Sequence, residues 1–291
     1  MTVALAVALL LAGTESAAER RYPVRALVVS VDADRKAFVA SCTEIPGYME
    51  AMEMPFAVRD PRLLEGIEPS AIVDFTLVVE ADDSYAVEIR PHVYQNFEQE
   101  PLLAKRLSLL ERISTQGPPS PPPPTLGEPV ADFTLTDQNR AEVRLSQFRG
   151  QVVALTFIYT TCPLPNYCLR LSNNFGRLQT RFEDRLGKDL VLLSVTFDPA
   201  HDTPEVLAEY AKKWPGSTGG WHFLTGNPPD VKRIARGFGL NFWPDEGTVT
   251  HALNTFVIGR DGLLKANLEG NQFTSQQLGD FVQGVLDLPR K

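Results

Sequence analysis

Val152-Val-Ala-Leu-Thr-Phe-Ile-Tyr159 is followed, after two threonines, by Cys162-Pro-Leu-Pro-Asn-Tyr-Cys168. The first run carries no charge and is rich in β-branched and aromatic residues, which predicts a strand buried on both faces of a sheet. The two cysteines therefore sit where a central strand ends. Beyond them Leu171, Phe175, Leu178 and Phe182 recur at intervals of three and four, the mark of a helix with one apolar face. Cys168 then falls near a helix N-terminus, where unpaired amides and the positive end of the dipole favour a thiolate over a thiol. A thiolate is both nucleophile and metal ligand, so the pair suits redox chemistry or a soft metal. A structural disulfide or two unrelated thiols are the plain alternatives, because five intervening residues match no standard CxxC motif.

Outward from this stretch the signals alternate in type. Strands are predicted at 132–135, 152–159, 190–197 and 252–258, and helices at 168–186, 204–214, 229–238 and 275–287. Such alternation means α/β with a largely parallel core sheet. Thr203 followed by Pro204 marks one helix start, and Thr274 with Gln277 forms a capping-box pattern at another. Gly259-Arg-Asp-Gly262 reads as the turn of a closing antiparallel hairpin. The expected result is a thioredoxin-like fold with an added N-terminal hairpin. In such a fold Thr250-His251 enters the last hairpin opposite the end of the cysteine strand, so His251 can bring an imidazole to Cys162 and Cys168. Two thiolates and one imidazole suit copper(I), and a further ligand accommodates copper(II). Without the cysteines, a lone histidine at a strand start would be a polar edge residue.

Residues 22–92 read as all-β, with strand-like runs at 24–31, 36–42, 72–80 and 84–90 separated by aspartate-rich turns, the pattern of a small barrel. Between them lie Met49, Met52 and Met54, every methionine of the chain apart from Met1. Methionine commonly fills gaps in cores. Three within six residues, following Cys42, instead suggest thioether and thiolate ligands for copper(I). Residues 98–114 carry leucines between charges, a helix pattern, and Gly117-Pro-Pro-Ser-Pro-Pro-Pro-Pro124 is a semi-rigid spacer that marks the domain boundary.

Ser41-Cys-Thr-Glu-Ile-Pro-Gly-Tyr-Met49 and Ala51-Met-Glu-Met-Pro-Phe56 resemble the periplasmic copper-binding CusF family, a small five-stranded OB-like barrel. The resemblance covers residues 23–92. It implies copper(I) or silver(I) on Met52 and Met54, with Cys42 standing at the position of the family's histidine and Met49 at that of its tryptophan. A second resemblance rests on three stretches in order. They are Thr156-Phe-Ile-Tyr-Thr-Thr-Cys162-Pro, Ser194-Val-Thr-Phe-Asp198-Pro-Ala-His-Asp202-Thr-Pro204 and His251-Ala-Leu-Asn-Thr-Phe-Val-Ile-Gly-Arg-Asp-Gly262. These are similar to the SCO/SenC family over residues 127–288. That resemblance implies copper on Cys162, Cys168 and His251 and a role in assembling the copper centre of cytochrome oxidase. The family places three residues between its cysteines where this chain has five. Asp198 matches the family's aspartate, which orients the site, touches a partner, or caps a loop. His92, His201 and His222 match no binding motif and read as ordinary surface or strand residues.

A net charge of −8 and the absence of basic runs interleaved with aromatics argue against nucleic acid. Residues 1–18 combine an apolar core too short to span a bilayer with small residues at Ser16-Ala-Ala18, the form of an export signal. Retained as an anchor, the same segment would keep the chain at the membrane. The expected organisation is thus a signal at 1–18, a CusF-like barrel at 22–92, a helix and proline-rich linker at 93–126, and a thioredoxin-like domain at 127–291. The expected function is an exported, periplasmic copper(I)/copper(II) chaperone whose partner is the oxidase's copper subunit or another copper protein. The rival is a thiol–disulfide oxidoreductase in which Cys162 and Cys168 cycle between dithiol and disulfide, and a third class is a copper buffer with no client.

Overall fold

The computed structural model describes residues 19–92, 124–216, 219–240, 242–245 and 248–289. The predicted export signal, the helix at 98–114 and the proline tract up to 123 lie outside the described residues. Among the described residues no helix is long and apolar enough to cross a membrane.

Strands β1 (Arg20–Asp32), β2 (Ala37–Cys42), β3 (Met52–Ala57), β4 (Ile72–Val79) and β5 (Ser84–Pro91) form an antiparallel sheet in the order β3-β2-β1-β4-β5. The expected closed barrel is not formed. β3 and β5 are the two edges and approach each other without a hydrogen-bonded ladder. Pro55 in β3 has no amide to donate, and Glu88 in β5 adopts a positive φ of 57°, so both edges are interrupted. Side chains bridge the seam instead: Arg59 meets Glu80 at 2.9 Å and Asp83 at 3.1 Å and lies 3.5 Å over the Tyr85 ring. One face of this sheet buries Phe38, Phe56 and Phe75, packed as a mutual aromatic cluster.

The second sheet has seven strands in the order β14-β13-β8-β9-β10-β6-β7. They are β6 (Thr134–Asp137), β7 (Glu142–Arg144), β8 (Val152–Ile158), β9 (Leu190–Thr196), β10 (Trp221–Thr225), β13 (Asn254–Ile258) and β14 (Leu264–Glu269). Only β8, β9 and β10 run mutually parallel, so the sheet is mixed where a largely parallel one was expected. The flanking pairs are antiparallel: β6–β7 and β13–β14 are hairpins, whereas β6 on β10 and β13 on β8 pair strands distant in sequence. β8 and β9 are buried at every position. Val152, Ala154 and Ile158 face one core with α1 (Arg170–Arg181), α2 (Pro204–Ala211) and α4 (Ser275–Asp287), whereas Val153, Leu155 and Phe157 face the core under α3 (Pro228–Gly237). β10 and the small hairpin of β11 (Phe242–Asp245) and β12 (Thr248–His251) were not anticipated, being too short for a periodic signal.

The two sheets are docked on each other through α4. Gln277 Nε2 donates to the Ser41 carbonyl at 3.0 Å, Ser41 Oγ to Asp280 at 2.6 Å, and Gln276 Nε2 to the Ala51 carbonyl at 2.8 Å. Leu27 of β1 joins the core cluster of the second sheet.

Candidate metal centre

β8 leaves its sheet at Ile158, and the chain then passes through Tyr159 and Thr160 to Cys162. Proline at 163 and 165 keeps this stretch from continuing as a helix: Leu164 is extended, and Pro165–Leu169 is a single π-turn with Tyr167 at non-helical angles. Cys168 lies within that turn, one step before α1. Because β13 runs antiparallel to β8, with Thr255 opposite Thr156, the residues before Asn254 run alongside the carboxyl end of β8. His251 is thereby brought to the cysteines, and its Nε2 lies 3.9 Å from Cys168 Sγ. Its Nδ1 is 2.7 Å from the Ala252 carbonyl, which fixes the proton on Nδ1 and leaves the Nε2 lone pair aimed at the sulfur. Phe197, at a centroid distance of 4.3 Å, and Tyr159, at 5.7 Å, wall the ring. Burial pushes its pKa down to about 4, so the imidazole is neutral and able to ligate at ordinary pH.

Cys42, Cys162 and Cys168 are unpaired in the structure. Cys162 is partly exposed and Cys168 fully buried. Hydrogen bonding from the Cys168 thiol is the largest influence on Cys162, lowering its pKa to about 6 with help from the Tyr159 hydroxyl. Donation to Cys162, reinforced by burial, pushes Cys168 well above the usual thiol range. The expectation that the dipole makes Cys168 the thiolate is therefore corrected: the turn encloses Cys168 in apolar side chains, and Cys162 carries the charge. Among the described residues no three His, Cys, Asp or Glu side chains stand in a preformed metal cluster. The Cys168–His251 contact is the part already assembled, and the partly exposed Cys162 stands apart from it in the hydrogen-bond geometry.

Several residues escaped the sequence reading. Asp202, fully buried, accepts from the Thr160 amide at 3.1 Å, from the Thr160 hydroxyl, and from Thr196 Oγ1 at 2.5 Å, tying the approach to Cys162 to the end of β9. It stood within the 194–204 stretch without a role. Asp198 itself is a loop residue whose amide donates to Thr196 Oγ1 at 2.9 Å. Asn271 donates from Nδ2 to the Asn166 carbonyl inside the cysteine loop, and no local pattern marks it. His92 is not an ordinary surface residue: it bridges Asp74 at 3.0 Å and Gln272 at 3.1 Å. His222 pairs with buried Asp137 at 3.0 Å.

In the N-terminal sheet Cys42 pairs directly with Met52, and Ala40 with Met54, which puts Cys42, Met52 and Met54 on one face. The Cys42 thiol is buried and donates to the Met52 carbonyl at 3.1 Å, while Met52 is 44% exposed and Met54 packs partly against the aromatic cluster. One thiol and two thioethers are a soft donor set at the mouth of this sheet.

A family model described as SCO1/SenC matches residues 124–286, a span that begins after the N-terminal sheet. A Stutzerimonas stutzeri protein named for copper binding is 31% identical over 146 residues, which are 48% of this chain and 68% of that relative. The SCO1 protein homolog of Bacillus subtilis (strain 168) is 28% identical over 149 residues, 50% of this chain and 76% of that one. A crystal structure of a SCO1/SenC family lipoprotein from Bacillus anthracis str. Ames shares the fold with a TM-score of 0.50 at 22% identity, covering 56% of this chain and 97% of that one.

Proposed function

The chain belongs to the SCO1/SenC family, and from that premise we propose that it is an exported copper metallochaperone that carries the ion as cargo on Cys162, Cys168 and His251. The observation that carries this reading is the 3.9 Å approach of His251 Nε2 to Cys168 Sγ with Nδ1 tied to a backbone carbonyl. A neutral imidazole and a low-pKa Cys162 are ready to ligate, uptake of copper(I) releases the Cys168 proton, and the partly exposed Cys162 gives the ion a way in and out. The client proposed from the family resemblance is the copper subunit of cytochrome c oxidase. Cys42, Met52 and Met54 are proposed as a second copper(I) set, supported by their common face on β2 and β3.

The thiol asymmetry favours one alternative. A partly exposed low-pKa Cys162 beside a buried Cys168 is the arrangement of attacking and resolving thiols, which would serve a thiol–disulfide oxidoreductase. An anaerobic copper(I) competition titration of the reduced chain separates the two. The expected result is two tight equivalents, one lost in Cys162→Ser/Cys168→Ser and weakened in His251→Ala, the other lost in Met52→Leu/Met54→Leu. A cysteine pair that holds no copper yet reduces a disulfide substrate, with His251 dispensable, would replace the chaperone by the enzyme.

A further inference from the structure

The 162–168 loop is held from outside as well as by its own π-turn. Two of its residues are prolines without amide hydrogens, and outside the π-turn its backbone bonds include Tyr167 N to Leu164 O at 3.1 Å and Cys162 N to Tyr159 O at 3.4 Å. One outside hold comes from the turn that follows β14. Asn271 is 1% exposed, and its Nδ2 donates to the Asn166 carbonyl at the centre of the loop. The amide of Gly270, next to it, donates to the Leu253 carbonyl at 2.7 Å, two residues beyond His251. One turn therefore touches both arms of the copper site. The next residue, Gln272, reaches the other way: its Oε1 lies 3.1 Å from His92 Nε2, His92 Nδ1 is 3.0 Å from Asp74, and Asp74 pairs with Arg25 of β1 at 2.7 Å. The same segment then runs into α4, whose first turns bond Ser41 and Ala51.

We propose that Asn271 and Gln272 are positioning residues through which the docked N-terminal sheet holds the 162–168 loop in its metal-binding arrangement. The N-terminal sheet is then part of the second site's scaffold, whether or not it carries an ion of its own. The inference rests on the reading of Cys162, Cys168 and His251 as a copper site, and its test is chosen to stand apart from that reading. Full-length reduced chain is compared with Asn271→Ala, Gln272→Ala and Gln272→Glu in two measurements. One is the metal-free midpoint potential of the Cys162/Cys168 couple against dithiothreitol buffers, and the other is anaerobic copper(I) competition, with thermal melts as a check of folding.

Loss of a supporting hydrogen bond around a metal site costs tenfold or more in affinity. Asn271→Ala and Gln272→Ala should each weaken the cysteine site by about that factor and move its midpoint potential. Gln272→Glu, which keeps an acceptor for His92, should hold both values near those of the parent. Folded alanine variants with unchanged potential and copper affinity within about twofold of the parent would overturn the proposal. If Asn271→Ala does not fold, Gln272→Ala decides. If the parent cysteine pair binds no copper, the copper reading fails and the potential alone upholds or overturns the positioning role.

Discussion

Donation to Cys162, together with burial, pushes the Cys168 thiol up, and the same hydrogen bond pulls Cys162 down to about 6. The reactive species is the thiolate, so alkylation of Cys162 in the metal-free chain should accelerate as pH rises through about 6 and level off above it. Cys168 should remain the slower of the two throughout. Cys168→Ala removes the donating thiol, and the Cys162 midpoint should move upward. Mass-spectrometric rates with iodoacetamide across this range check both; a midpoint unmoved by the substitution would assign the depression to Tyr159 and the backbone. The residue types of this site were legible in the sequence, because soft donors at the end of a buried strand have few other uses. Which thiol carries the charge was not, since the dipole is a local argument and burial of Cys168 arises from Leu171, Phe175 and other side chains folded over it.

Helix α4 shows the same division at the scale of an element. Its start was readable: the Thr274 hydroxyl accepts from the Gln277 amide at 3.1 Å, and the Gln277 side chain accepts from the Thr274 amide at 2.9 Å, a closed capping box. Its apolar stripe of Leu278, Phe281, Val282 and Val285 was readable too. Its second polar face was not, because Gln277 and Asp280 meet Ser41, more than two hundred residues away in sequence. Asp280 is buried and accepts from Ser41 Oγ at 2.6 Å and from Arg181 at 2.7 Å. Asp280→Ala would leave a hydroxyl and a guanidinium without their acceptor at the interface. Arg181 keeps 38% of its side chain in water, which moderates the loss, and destabilisation of about 2 kcal/mol is expected. Urea unfolding checks this, and a change under about 0.5 kcal/mol would show that water replaces the carboxylate.

For the whole molecule, a proline tract between two domains suggests a tether, with exchange between sites set by linker reach. The docked sheets shift the emphasis to the interface. Gly284 on α4 faces Val29 of β1 so closely that an added Cβ would lie 2.8 Å from Val29 Cγ1, and a side chain there must push the sheets apart. A chain cut by a protease at a site inserted within residues 116–123 should therefore elute as one species at micromolar concentration. Its two pieces should separate when Gly284→Leu is added. The same substitution in the uncut chain should raise the radius of gyration measured by small-angle scattering, while each sheet keeps its own melting transition. Pieces that part on cutting alone would return the molecule to two beads on a string, and copper would then pass between Met52/Met54 and Cys162/Cys168 by linker-limited encounter. Pieces that stay together favour exchange without linker-limited encounter, because any ion that leaves the methionine face starts from a sheet already fixed against the helix that follows the turn supporting the cysteine loop.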